Sequence, residues 1–276
     1  WFRLMAVCGG TVSVAQGLGV GVDLAVVVGI ARLSDRRFAL LYALHPLGPL
    51  EVVLGAHIDG LAVALLVWAC VVVVRRPWLA GLLTTMGGGV KLLPFTVVGS
   101  PATRSRSFWL GAALGLVLCL LALVPVLDAG PALLTSMGTY SRHWSFNSLG
   151  LTLTTPLFGS WARPVLVVLG AAAWVWALVR SWSMQTAWLV IGVAFIAVTP
   201  TAHPWYLMWV FVPALACRRP EWAMAVTPLL GSYAVLWTLD SPDGWQESPA
   251  LWFGTWVPAL TVLVVATWMR RRRPTR

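Results

Sequence analysis

The stretch LLYALHPLGPLEVVLGAHIDGLAVALLVWACVVVV, residues 40–74, places two apolar runs on either side of the polar sequence GAHIDG at 55–60. The second run carries no charged residue from 61 to 74. Such runs are typical of helices that lie in a membrane or in a buried helical core. The stretch therefore predicts two apolar helices that meet at a turn containing His57 and Asp59.

The composition of the whole chain points the same way. Of its 276 residues, 59% are hydrophobic and 10% are charged, and the mean hydropathy is +0.83. Soluble domains carry about 25% charged residues, so this chain is too apolar for a water-facing globule. We predict an all-α fold, a polytopic transmembrane helical bundle that fills residues 1–276 as one domain.

Segment by segment, the hydropathy predicts about nine to eleven membrane segments, some of them half-spanning or re-entrant. The short, proline-broken piece at 148–160 is predicted to be re-entrant or interfacial. The other predicted spans are 4–31, 38–56, 60–75, 78–98, 107–127, 164–180, 184–200, 205–217, 222–239 and 250–269.

The formal charge of +10 comes from arginines that flank the apolar runs, which is the pattern of positive-inside loops rather than of a nucleic-acid surface. We therefore expect no nucleic-acid partner. This rule places 32–37, 75–76, 104–106, Arg180, 218–219 and the C-terminal tail inside. The segments that then lie outside are GAHIDG, a loop at 128–163, 199–206 and 240–249, the last of which contains Asp240, Asp243 and Glu247.

One segment conflicts with simple alternation. If 75–76 and 104–106 both lie inside, then 78–98 must enter the membrane and return. Its sequence TMGGGVKLLPF contains glycines and a proline that interrupt helices. We expect a helical hairpin that does not fully cross, unless Arg104 and Arg106 are exceptions to the rule.

Three polar features could carry chemistry. Asp59 could simply cap the helix that begins at residue 60, although Glu51 upstream places a second acid in an apolar run. Lys91 is the only lysine in the chain. It could snorkel to the membrane surface or bind an anion such as a lipid phosphate.

The third feature is a pair of aromatic stretches on the predicted outer face, TYSRHWSFNSLG at 139–150 and TPTAHPWYLMW at 199–209. Either could anchor the chain at the membrane interface. His203 precedes a proline and should be extended. The four cysteines, Cys8, Cys70, Cys119 and Cys217, lie in apolar runs without metal-ligand spacing and are read as small buried residues.

Four motifs in the same order resemble the actinobacterial polyprenyl-phosphate-mannose-dependent α-(1→6)-mannopyranosyltransferases, which have the GT-C fold. They are HPL at 45–47, GAHID at 55–59, VK at 90–91 with Pro94, and T-x-HPWY-x-x-W at 201–209. Trp144, Phe146 and Asn147 are similar to a W-x-F-N stretch of related enzymes. The chain departs from the family where His45 replaces asparagine and where Ile58 replaces asparagine.

The resemblance implies transfer of mannose from polyprenyl-phosphate-mannose to a mannan or lipoglycan acceptor, in the cytoplasmic membrane and on its outer face. Membrane lipids would surround the enzyme. No cofactor is implied, and a divalent ion is left open, because a donor without a diphosphate gives less reason for one. The rival functions are a transporter or flippase of lipid-linked sugars and an inactive fragment.

The site residues follow from the same resemblance. Asp59 and His57 are the catalytic candidates, with Asp59 as an acid in the site and His57 on the sugar or phosphate. The chain begins with Trp1 inside an apolar run, so we expect a fragment without its first span and first outside loop, where the principal base would lie. The substrate-binding candidates are Lys91, Tyr140, Arg142, Trp144, Asn147, His203, Trp205 and Tyr206.

Overall fold

The computed structural model describes residues 9–180, 183–238 and 245–272, and within these ranges the chain is helical, without strands. Cys8, Asp240 and Asp243 lie outside the described residues. The α-helices are α1 (Val12–Leu33), α2 (Arg36–Ala43), α3 (Asp59–Val72), α4 (Pro77–Val90), α5 (Arg106–Leu123), α6 (Gly130–His143), α7 (Leu149–Phe158), α8 (Ala162–Val179), α9 (Met184–Val198), α10 (Met208–Ala216), α11 (Pro220–Val226) and α12 (Pro249–Arg272).

Four stretches are long and apolar enough to cross a membrane: Val12–Leu33, Arg106–His143, Leu149–Val179 and Pro249–Arg270. A fifth candidate is a broken one, because Gly48–Leu54 and Asp59–Val72 meet at an angle of 113°. These stretches confirm the predicted helical membrane protein. Full-length spans among the described residues are nevertheless fewer than the predicted nine to eleven, since several predicted spans hold short or interrupted helices.

Prolines and glycines explain the interruptions. The predicted span 38–56 divides into α2 and a π-helix, Gly48–Leu54, because Pro46 disfavours helical backbone before it. The predicted span 222–239 holds α11 and then a 3-10 helix, Thr227–Thr238, which contains Pro228.

The prediction for 128–163 was wrong in part. This region is not an extended loop, because it contains α6 and α7. The piece at 148–160 is also not a separate re-entrant segment. Although Pro156 lies inside it, α7 joins α8 in one candidate span of 31 residues.

Helices α4 and α5 run parallel to each other. The backbone of Gly111 lies against the carbonyl of Trp78, and Gly115 lies against Leu82 and Thr85. Further along, a Cβ on Gly89 would meet the sulfur of Cys119. Glycines let the two backbones approach this closely. Because residue numbers rise together along both helices, Pro77 and Arg106 lie at the same end of the pair.

The chain between α4 and α5 must therefore return along α4. Phe95 packs on Gly88, Thr96 accepts a hydrogen bond of 2.8 Å from the indole of Trp174, and Gly99 lies near Leu178. The return is made by short 3-10 helices, Leu93–Val97 and Pro101–Thr103. The chain therefore turns back on itself, as predicted for 78–98. Only the part before the turn is an α-helix, and the returning part is made of 3-10 helices.

Helices α3 and α4 form an antiparallel pair that determines the location of the polar site. Each has 14 residues, or about 21 Å at 1.5 Å per residue. Gly87 near the end of α4 faces Ala62 and Leu65 near the start of α3. The residue that opens α3, Asp59, and the residue that follows α4, Lys91, therefore lie at the same level.

The short helix α10 occupies the centre of the bundle. All nine of its residues are buried, and Gly192 of α9 lies against the carbonyl of Trp209. A helix that is apolar on all sides is buried on all sides. The 3-10 helix Pro204–Leu207 precedes α10 and carries Trp205 and Tyr206 to the end of the bundle where Asp59 lies.

Candidate functional site: a buried ion pair beside an aromatic stack

Asp59 is not a helix cap. Residue Ile58 occupies the cap position of α3 and makes no side-chain cap bond. The carboxylate of Asp59 instead accepts hydrogen bonds from Lys91 Nζ (3.1 Å) and from the indole of Trp209 (2.8 Å), one on each oxygen. The residue is 2% exposed. One carboxylate oxygen is therefore in an ion pair with Lys91, and the other is hydrogen-bonded to Trp209.

Lys91 reaches this carboxylate because α4 ends just before it. The lysine backbone is extended, with φ −149° and ψ 135°, and its ammonium lies 4.8 Å from the ring centroid of Tyr206. The side chain is 32% exposed, and its ammonium is held by the buried carboxylate of Asp59. An ammonium has three donors, and Asp59 uses one of them, which leaves donors for an anionic ligand.

Four rings stack in a row beside the ion pair. The ring of His57 stacks on Trp205 with centroids 4.2 Å apart, and Trp205 stacks on His203 at 4.3 Å. His203 then stacks on Phe146 at 5.0 Å. Trp205 and His203 are each covered on both faces by a neighbouring ring, and Phe146 is buried. The stack therefore offers a ligand chiefly its His57 end, where the side chain is 31% exposed. We call His57, Trp205, His203 and Phe146 the ring stack.

His203 is extended, with φ −66° and ψ 148°, as its position before Pro204 predicts. Phe146 is held opposite it by a short parallel bridge, in which Phe146 N–H donates to Pro200 O (2.9 Å) and Ala202 N–H donates to Phe146 O (2.7 Å). The two aromatic stretches of the sequence are thereby joined at one place.

The predicted substrate-binding residues within 139–150 differ in how close they lie to the ion pair and the ring stack. The hydroxyl groups of Tyr140 and Thr201 share a hydrogen bond of 2.8 Å, which places Tyr140 beside the site. Trp144 is 53% exposed and stacks on Tyr140. Arg142 is exposed, and the described residues offer it no hydrogen bond or ion pair. The structure therefore brings Tyr140, but not Arg142, against the other predicted residues.

Asn147 is buried beside the ring stack, and its Nδ2 makes no hydrogen bond to any described residue. Its φ is +45°, a conformation that asparagine tolerates better than most residues. Its N–H donates to Glu247 (2.8 Å), its side-chain oxygen accepts from Thr255, and its carbonyl accepts from Trp256. These contacts fasten the end of the ring stack to α12.

Glu51 is a site residue that sequence reasoning noticed but did not select. It is fully buried, and its carboxylate accepts a hydrogen bond of 2.7 Å from Tyr233. Its other oxygen lies 3.6 Å from His57 Nε2. The signal was present, because an acid within an apolar run is expensive unless it has a function.

Several titratable groups beside the site have shifted pKa values, among them His203 and Glu247, which lie outside the membrane-spanning stretches. Burial, with smaller contributions from the charges of Lys91 and His57, lowers the pKa of His203 to about 4, so this ring is neutral at pH 7. Burial also raises the pKa of Glu247, against a backbone hydrogen bond from Asn147. His203 would meet a phosphate as a neutral hydrogen-bond donor.

An apolar cavity of about 370 Å³ is connected to the ion pair through Tyr206, although neither Asp59 nor Lys91 lines it. Its wall is formed by Leu166, Val167, Phe195 and Val198, and its polar end by Tyr140, Thr201, Tyr206 and Arg163. Arg163 was not predicted. Its guanidinium donates to the carbonyls of Ser141 and Trp144. Tyr206 belongs to both the cavity and the cation site, so the two are neighbours.

The described residues contain no group of three or more His, Cys, Asp or Glu side chains that could hold a metal ion. What the site offers is an ammonium held by a buried carboxylate, a flat aromatic surface and an adjoining apolar cavity. Comparisons with family models, curated proteins and solved structures find no match to this chain.

Proposed function

We propose that the protein is a membrane glycosyltransferase that moves mannose from polyprenyl-phosphate-mannose to a mannan or lipoglycan acceptor. The observation that carries this proposal is the double role of Tyr206, which lies under the Lys91 ammonium and also lines the apolar cavity. A lipid-linked sugar phosphate likewise places an anion directly beside an apolar tail, with the sugar on the other side of the anion.

Each part of such a donor has a counterpart in the site. The isoprenoid tail fits the cavity lined by Leu166, Val167 and Phe195. The phosphate meets Lys91, whose charge offsets the negative charge that builds on the leaving group. The sugar lies at the His57 end of the ring stack, where the partly exposed ring can pack on its C–H surface.

Asp59 acts on the reaction indirectly, through Lys91. Since both of its oxygens are occupied by Lys91 and Trp209, it holds the ammonium in place rather than accepting a proton from substrate. The arginine distribution favours a site on the outer face of the cytoplasmic membrane. The choice of mannose rests on the sequence resemblance alone.

The test uses membranes that contain the protein, labelled polyprenyl-phosphate-mannose and an oligomannoside acceptor. We expect label in the acceptor, and a loss of about 10²-fold or more with Lys91→Met, since removal of one electrostatic donor from a transition state has that size. Arg270→Met, far along α12, is the matched control and should retain transfer. Absence of label with the unaltered protein would rule the transferase out.

A transporter of lipid-linked sugars is the second candidate, favoured by the 113° break that leads into α3. Broken helices with charged groups at the break occur in transporters. In sealed proteoliposomes, a transporter would move labelled lipid-linked sugar between leaflets without forming a new glycosidic bond. Transfer into the acceptor without such movement would favour the enzyme.

A further inference from the structure

Glu51 has one oxygen that lacks a partner. Its side chain is fully buried, Tyr233 occupies Oε1, and Oε2 makes no hydrogen bond to any described residue. A buried, unsatisfied carboxylate oxygen is costly. The group that faces it is His57 Nε2 at 3.6 Å, a separation that a small ring rotation would convert into a hydrogen bond.

The backbone between these two residues is built in an unusual way. Glu51 lies in the π-helix Gly48–Leu54, and His57 N–H donates back to Glu51 O at 2.9 Å. Ala56 between them has a φ of +47°, which is strained for a residue with a Cβ. π-helices and strained residues both concentrate at functional sites. The strain here serves to place the imidazole of His57 beside the carboxylate of Glu51.

His57 is also the better placed proton acceptor. Asp59 is buried with both oxygens bonded, whereas the side chain of His57 is 31% exposed and stacks on Trp205. A base must reach the proton that it removes. The imidazole meets this condition on the proposed sugar path, and the carboxylate of Asp59 does not.

We infer that His57 is the general base that activates the acceptor hydroxyl, and that Glu51, fixed by Tyr233, positions its ring. This inference rests on the proposed function. The acceptor oxygen forms a bond to the anomeric carbon of the donor sugar. The bond from that carbon to the phosphate oxygen breaks, and the electron pair leaves with the lipid phosphate. The hydroxyl proton moves to Nδ1 of His57 while Nε2–H points to Glu51.

Four charged or titratable groups act on the imidazole of His57. Burial, the largest effect, and the ammonium of Lys91 disfavour its protonated form, whereas the carboxylate of Asp59 favours it. Glu51 lies 3.6 Å from Nε2, and His203 lies one ring further along the stack. Removing the carboxylate that touches the ring should therefore make it a weaker base.

The first measurement is the pH dependence of kcat for the unaltered protein and for Glu51→Gln. We expect kcat to fall by about tenfold or more, within the usual range for proton-transfer catalysis. The acidic limb of the profile should move to lower pH, because the imidazole binds its proton less tightly. Tyr233→Phe should reduce kcat in the same direction with little change in KM.

The second measurement tests whether added imidazole can replace the side chain of His57 in catalysis. His57→Ala should lose about 10²- to 10⁴-fold in kcat, and added imidazole should restore part of it. The matched control is Asp23→Asn, because Asp23 is likewise bonded to a tyrosine, Tyr42, at 2.6 Å but has no histidine beside it. Asp23→Asn should leave the pH profile unchanged.

The outcomes separate the two proposals. If the unaltered protein puts no label into the acceptor, the proposed function fails. If it transfers label but Glu51→Gln keeps the profile of the unaltered protein, or imidazole does not rescue His57→Ala, the assignment of the base fails alone. Should Glu51→Gln not fold, Gly55→Ala replaces it, because a Cβ at Gly55 would lie 2.8 Å from the His57 ring and should push the ring away, with the same loss of kcat.

Discussion

Removing Lys91 should destabilise the protein far more than its partial exposure would imply. In Lys91→Met, the carboxylate of Asp59 keeps only the indole N–H of Trp209 and stays 2% exposed. Breaking a buried ion pair from one side costs about 3–5 kcal/mol, because an uncompensated charge remains inside. Removing the charge of Asp59 instead should cost less, since the side chain of Lys91 is 32% exposed and its ammonium keeps contact with water.

The two single variants therefore differ in a predictable order. We expect Asp59→Asn to cost about 1.5–3 kcal/mol, the usual range for hydrogen bonds to charged groups. The double variant should be less destabilised than the sum of the singles, because it leaves neither charge unpaired. One kcal/mol corresponds to about 2–4 °C in Tm for a chain near this size, so Lys91→Met should lower Tm by about 6–20 °C.

The assay is thermal unfolding of the purified protein in a mild detergent, with all variants in one buffer. Arg270→Met is the control, since Arg270 makes an ion pair of 2.7 Å with Glu221 but is 44% exposed, and such pairs contribute about 0–1 kcal/mol. The reasoning would be refuted if Lys91→Met and Arg270→Met had the same Tm, or if Asp59→Asn were the more destabilising single change.

Further predictions concern packing and pH. Gly111→Ala should lower Tm, because a Cβ there would overlap the carbonyl of Trp78. Gly138 has open space around it, so Gly138→Ala should raise the free energy of unfolding by about 0.5–1 kcal/mol through helix propensity. Thermal unfolding of both variants checks these two predictions. Because burial lowers the pKa of His203 to about 4 from its ordinary 6.5, the unfolded chain binds the proton first as pH falls. The stabilisation is complete above pH 6.5 and is lost between there and pH 4, by on the order of 3 kcal/mol. His203→Gln should flatten this part of a plot of Tm against pH, and a plot of unchanged slope would contradict the assignment.

The all-helical membrane fold was predictable because it depends on composition and apolar run length, which any window of the sequence reveals. The meeting of Asp59 and Lys91 was in principle predictable too. They are separated by two helices of 14 residues each and a tight turn, so the chain must come back to the same level. Instead, residues 78–98 were predicted to form a helical hairpin that does not fully cross the membrane.

Other contacts could not be derived from the sequence. Tyr233 and Glu51 are 182 positions apart, and no local pattern links them. The π-helix at Gly48–Leu54 has only seven residues, so its wider turn leaves no readable signature in hydrophobic periodicity. The hydrogen bond between Tyr233 and Glu51 and the π-helix both depend on tertiary packing. For this reason Glu51 was visible as an expensive acid but its partners were not.

The parallel arrangement of α4 and α5 has a consequence for biosynthesis. A helix of 14 residues is shorter than the about 20 needed to span a bilayer, so α4 has little to hold it in the membrane when it leaves the insertion machinery. It gains its neighbour only after α5 has been made, and residues 77–105 should therefore be integrated late, together with α5. Since the chain returns to its starting level, hydrophilic thiol reagents should label cysteines placed at 76 and 105 from the same side of the membrane.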